Sequence, residues 1–169
     1  MQLIEPEKSE TVFKTVKGSF LGLTTYVNKM SELVGMTKAL KVLGDTFEDM
    51  AIYEAQRLKN ESDKKLFDME DILELLRDIP PKVGMDYVVV EDLSQKIVIR
   101  ISRCPLYESA RISGMPGEKF CEHTAIRYID TIVKQLNPSL QYELKKPKGS
   151  KEDYCEVQLV QRDLNETLI

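Results

Sequence analysis

Tryptophan is absent from this chain of 169 residues, histidine occurs once and cysteine three times. A single histidine leaves few bases for histidine-assisted catalysis. No apolar run approaches the ~18 residues of a membrane-spanning helix, so an integral membrane protein is not expected. Positive charge is not in excess either. Lys and Arg total 24 against 28 Asp and Glu, a net charge of −4, which removes the electrostatic footprint of a nucleic-acid binder. The first residues, Met1-Gln2-Leu3-Ile4-Glu5-Pro6-Glu7, lack the charged-then-apolar layout of a secretory signal. With an odd number of cysteines this argues against a disulfide framework. A soluble, cytoplasmic protein with reduced thiols is the expectation, with neither a nucleic acid nor a membrane among its partners.

What is present suits a globular domain, with 42% hydrophobic and 31% charged residues. The length predicts one domain, residues 1–169, with a helical half over 1–80 and a sheet-plus-helix half over 84–162. Val16, Phe20, Leu23, Val27, Met30 and Val34 follow at steps of four or three, the period of one helical face. Ser9 with Glu10 is the expected cap of this helix. Gly35 breaks the pattern, and Met36, Leu40, Leu43, Phe47, Ala51, Ala55 and Leu58 renew it, predicting a helical hairpin. Gly18 and Gly22 stand four apart on the flank of the first stripe. They point either to close packing within the pair or to a homodimer through the N-terminal helices. Asn60 to Leu66 reads as a loop. Asp68 caps a short helix carrying Met69, Ile72, Leu73 and Leu76, which Pro80-Pro81 is expected to end.

The period then changes. Tyr87-Val88-Val89-Val90 and Ile97-Val98-Ile99-Arg100-Ile101 predict two strands of a hairpin around Glu91 to Gln95. Pro105 opens a short helix ending near Ser113-Gly114, and a longer one runs from about Glu118 to Leu136, stopped by Asn137-Pro138. Strands over Leu140–Lys145 and Tyr154–Val160 flank a turn rich in lysine, which reads as a solvated hairpin tip. The fold class is therefore α+β: an N-terminal helical hairpin, then a four-stranded antiparallel sheet of two hairpins covered on one face by helices.

The cysteines lie in the second half. Cys104 ends a strand immediately before Pro105, where a helix start favours a thiolate; alternatively it packs at the corner. Arg103 beside it either helps or points away. Cys121 sits early in the long helix on a face shared with Ala125, Tyr128, Ile129, Ile132 and Leu136, either inert or functional. Cys155 shares a strand face with Val157 and Leu159, toward the helices. Separations of 17 and 34 positions match no ligand motif. If the two helices cross the sheet, however, the three thiols meet at one pocket. Three thiolates with a fourth ligand suit zinc, or an iron–sulfur cluster with an open iron. His123 is the candidate fourth ligand. Two residues apart on a regular helix, Cys121 and His123 point about 200° from one another, so the alternative is a solvent-facing histidine. Glu108, Glu118 and Glu122 are candidate acids or bases, or simply solvated.

Arg103-Cys104-Pro105-Leu106, Gly114, Phe120-Cys121, Leu136-Asn137-Pro138 and Asp153-Tyr154-Cys155-Glu156-Val157 together form a pattern over roughly residues 97–160. It resembles the L-2-amino-thiazoline-4-carboxylic acid hydrolase-like family of bacteria and archaea. Leu43-Gly44-Asp45 is similar to a helical Leu-Gly segment there. The resemblance implies hydrolysis of a small cyclic amidine to a carbamoyl-cysteine, with no cofactor required. Cys104, Cys121 and Cys155 are the matching positions and Cys104 is the nucleophile. Its thiolate would attack the ring carbon between nitrogen and sulfur, water would release the adduct, and amides after Pro105 would stabilise developing charge. The chain also resembles, more weakly, the 4-vinyl reductase-like ligand-binding domains, which imply a non-enzymatic metal or small-molecule module, a sensor or carrier.

Overall fold

The computed structural model describes residues 6–162, with side chains from Ser9 onward. The segment read for a secretory signal lies, through Glu5, outside the described residues. Eleven consecutive segments make an α+β fold. Helices α1 (Pro6–Val34) and α2 (Met36–Glu61) are separated by Gly35 alone, whose φ of 84° reverses the chain. Helix α1 already runs through Ser9, so Ser9 is an interior residue rather than the expected cap. Its expected stripe holds over Phe20, Leu23, Val27 and Met30, which pack into one core, while Val34 lies exposed and Phe13 adds a buried position. In α2 the expected stripe holds, with Leu40, Leu43, Ala51 and Ala55 all buried. Gly18 and Gly22 are exposed, and a Cβ placed on either would meet no other part of the molecule within 4 Å. They are open surface, not close packing within the pair.

Helix α3 (Met69–Val83) begins with a reciprocal cap. The Asp68 carboxylate accepts from the Asp71 amide at 3.0 Å, and the Asp71 carboxylate accepts from the Asp68 amide at 3.1 Å. Asp68→Ala is expected to lower stability by about 1 kcal/mol in urea unfolding; an unchanged midpoint would show that the cap is idle. Pro80-Pro81 does not end this helix. Both prolines lie inside it, near its end: their fixed φ is helical, and the costs are the missing N–H groups and the crowding of the carbonyls one turn back. The stop comes at left-handed Gly84, whose N–H reaches the Pro80 carbonyl.

Strands β1 (Asp86–Leu93) and β2 (Lys96–Arg103) form a hairpin tighter than expected, turning on Ser94 and Gln95, with a bulge that skips Val90. Helix α4 (Pro105–Ser113) follows, closed by left-handed Gly114. The long helix then comes in three parts: α5 (Gly117–Cys121), a π turn (Glu122–Ile126) and α6 (Arg127–Leu136). Asn137 caps it, donating to the Phe67 carbonyl at 2.8 Å and tying the helix end to the loop before α3. Strands β3 (Leu140–Lys146) and β4 (Cys155–Gln161) complete an antiparallel sheet in the order β1-β2-β4-β3.

Two cores result. Ile97, Ile99, Tyr142, Val157 and Leu159 face α3, α6 and the end of α2, while the opposite sheet face carries Arg100, Glu143, Glu156 and Gln158. The second core is largely helical: Val27 of α1, Leu40 and Leu43 of α2, Leu106 and Ala110 of α4, and Phe120 of α5. Ile101 packs against both. The long helix passes from one core to the other, Phe120 belonging to the helical one and Val133 and Leu136 to that of the sheet. A uniform α-helix keeps one face, and the π turn lies where the face changes. The single stripe expected from Cys121 to Leu136 is accordingly split; the Tyr128 ring, for example, meets Phe47 edge-on at 6.4 Å. Among the described residues, no helix is long and apolar enough to cross a membrane.

Candidate functional site

The sheet register positions the first two sulfurs. Ile101 of β2 pairs with Cys155 of β4, so the end of one strand lies beside the start of the other. Cys104 stands three positions beyond Ile101, at the N-cap of α4, with Pro105 in the first helical position. Alternation turns Cys155 inward with Val157 and Leu159, as the pattern predicts. Cys121, at the end of α5 and just before the π turn, completes the group. The three cysteines line one cavity of about 30 Å³ together with Tyr107, Glu118 and Lys148. That space holds about two water molecules. All three are free thiols.

The environment keeps these thiols protonated. Burial pushes Cys104 up, and the amides of Tyr107 and Leu106, then the Lys148 ammonium, pull back without overcoming it. Cys121 is driven well above the ordinary thiol value by burial and then by the neighbouring Cys104 and Cys155, with no amide or cation opposing. Cys155 is pushed up to about 12, mainly by burial and next by Cys104. The thiolate expected at Cys104 is therefore not the favoured form of the free protein; desolvation outweighs the helix start. Nor does Arg103 assist. Its guanidinium lies 3.8 Å from the centre of the Phe13 ring and pairs with Glu10 on α1.

The other candidates separate. His123 lies on the α2 side of the long helix: its Nδ1 is 2.8 Å from the Lys119 carbonyl, and its Cδ2 would stand 3.3 Å from a Cβ placed on Gly44. It is not among the residues lining the cavity. Glu108 pairs with Arg111 at 3.3 Å, and Glu122 is exposed. Of the three carboxylates, Glu118 lines the cavity.

Residues that the pattern did not single out complete the wall. Tyr107 follows from being one helical turn beyond Cys104. Lys148 carries no local signal. It belongs to the lysine-rich turn read as a solvated tip, yet its ammonium reaches the Ser102 carbonyl at 2.5 Å and stands 5.5 Å from the Tyr107 ring. Among the described residues, no three His, Cys, Asp or Glu side chains are placed, as they stand, to hold a metal ion. No protein-family model matches the chain, and no curated protein matches it significantly.

Proposed function

We propose that the chain is a binding module for a single soft metal ion, of the zinc or copper(I) class, taken up by Cys104, Cys121 and Cys155 in a reducing compartment such as the cytoplasm. The carrying observation is the convergence of three sulfurs, from three separate elements, on a cavity of about 30 Å³. Thiolates select soft ions. Space for about two waters suits one ion with a water. Glu118 or water supplies the fourth ligand that zinc takes, and Lys148 offsets the surplus negative charge of three thiolates on a dication. Rotation of the cysteines about χ1, which carries each sulfur about 3 Å between wells, draws them onto the ion. His123 has no part in this arrangement.

The test is anaerobic purification followed by metal analysis and thiol counting. One ion per chain is expected, with thiols that become titratable only after a chelator strips it. Replacing any one of the three cysteines by alanine is expected to weaken binding by more than about 100-fold. The thiols of the free protein hold their protons at neutral pH, so binding releases protons. Uptake strengthens as pH rises from 6 to 8 and the ion is lost on acidification. A chain that carries no metal, takes up none and titrates freely ends this reading.

One observation favours a second reading, the thiol-dependent hydrolysis that the family resemblance implies. Cys104 alone stands at a helix start, with two helix amides and Lys148 favouring its thiolate and Glu118 at the same cavity to move a proton. A metal-free chain in which Cys104 reacts fastest, and whose turnover of a cyclic amidine is lost in Cys104→Ala, would support it instead.

A further inference from the structure

The loop between β3 and β4 is built as a unit. The Asp153 carboxylate takes the Lys146 ammonium and the Gly149 amide, the latter at 3.1 Å. These bonds, with the Tyr154 amide, hold the Asp153 carboxyl down at about 2. The Asp153 amide in turn donates to the Ser150 carbonyl at 3.4 Å. Gly149, Ser150, Lys151 and Glu152 are all exposed, so nothing packs over this stretch of the loop. Its inner side is different. Pro147 and Lys148 wall the cavity that contains the three sulfurs. Apart from the Lys146–Asp153 bond at the base of the loop, the hydrogen bond fastening it to the rest of the molecule, among the described residues, is the one from Lys148 Nζ to the Ser102 carbonyl. The same ammonium also donates to the Asp153 carbonyl, so one charge joins the loop's own frame to the end of β2.

We infer that residues 147–153 form a flap over the three-thiol cavity, latched by Lys148 onto the Ser102 carbonyl, and that release of this latch is how solutes reach Cys104, Cys121 and Cys155. A stiff segment held across its open side by one bond between a charged donor and a carbonyl opens as a body, at far lower cost than the sheet beside it. The cavity is narrow, and two of the cysteines lining it, Cys104 and Cys155, are only 7% and 8% exposed. A ligand larger than water therefore reaches these sulfurs through the open form. The inference rests on the cavity and not on what fills it.

The experiment follows alkylation of the full chain, stripped of metal by chelator, with iodoacetamide at pH 8, each cysteine being read separately by mass spectrometry. Lys148→Met keeps the side-chain stem and removes the ammonium. It is expected to speed modification of the three cysteines on the order of tenfold, the effect of losing one charge-assisted hydrogen bond. Lys148→Gln is expected to do the same, Lys148→Arg to stay near the parent rate, and Lys151→Met, on the exposed tip, to change nothing. Protection of the Ile99 and Val157 amides against hydrogen exchange is expected to hold in every variant, which separates flap opening from global unfolding. Unchanged or slower alkylation in both neutral variants overturns the latch. Slowing is what loss of a neighbouring positive charge does by itself, since that charge favours the thiolates of Cys104 and Cys155. Such a result leaves metal content untouched, and a chain that never binds metal still shows the latch, so the two proposals fail separately.

Discussion

Gly84→Ala is expected to cost about 2–5 kcal/mol in urea unfolding, whereas Gly114→Ala costs only about 1–2 kcal/mol. Both glycines end helices in the left-handed region, with φ of 70° and 72°. For both, a Cβ meets its own backbone unfavourably, by about 1–2 kcal/mol. Their surroundings differ. A Cβ on Gly114 would meet nothing within 4 Å, while one on Gly84 would stand 2.6 Å from the Phe13 amide nitrogen and 2.8 Å from its Cα. Those are backbone atoms of α1, which cannot swing aside as a side chain does. Relief requires that α1 and α3 move apart, and overpacking of this kind adds about 1–3 kcal/mol. Equal losses in the two variants would show that α1 yields at this point and that the contact does not fix the helices.

Phe120→Ala is expected to remove about 3–5 kcal/mol, the usual range for emptying a buried phenylalanine site. The ring is 1% exposed and meets Phe20 of α1 edge-on at 6.3 Å, joining α1 to α5 inside the helical core. Its backbone is equally committed: the Phe120 carbonyl accepts the hydroxyl of fully buried Thr124 at 2.6 Å, within the π turn. Cys121 is the next residue, so a collapse into the space left by the ring displaces one wall of the thiol cavity. Under the metal-binding proposal, the stability loss is therefore expected to come with weaker metal retention. Phe120→Leu, which keeps most of the volume, is expected to cost under about 1.5 kcal/mol and to leave retention intact. If Phe120→Ala unfolded at the same denaturant concentration as the parent, the helical core would not depend on this ring.

Much of the fold is legible because it follows local periods. The apolar steps of α2 and the alternation of Cys155, Val157 and Leu159 are local facts, as are the start of α4 at Pro105 and the stop at Asn137. Each is set by a residue's own backbone preference or by the direction its neighbours face. The errors came where a distant partner overruled a local preference. Pro80-Pro81 stays helical because the chain ends the helix at Gly84, against Phe13. The π turn exists because its helix serves two cores, which no window of sequence around Cys121 reveals.

The site divides along the same line. Which faces Cys104 and Cys155 present, and the α+β class itself, were readable from spacing alone, since the periods of helix and strand are properties of a few consecutive residues. That three sulfurs so far apart in the chain share one cavity depended on the pairing of Ile101 with Cys155 and on where α5 crosses. Their protonation and the reach of Lys148 to Ser102 arose only from packing, whereas the divergence of His123 from Cys121 was already implied by the helical period. Burial and proximity belong to the assembled molecule, and a list of residues carries no distances.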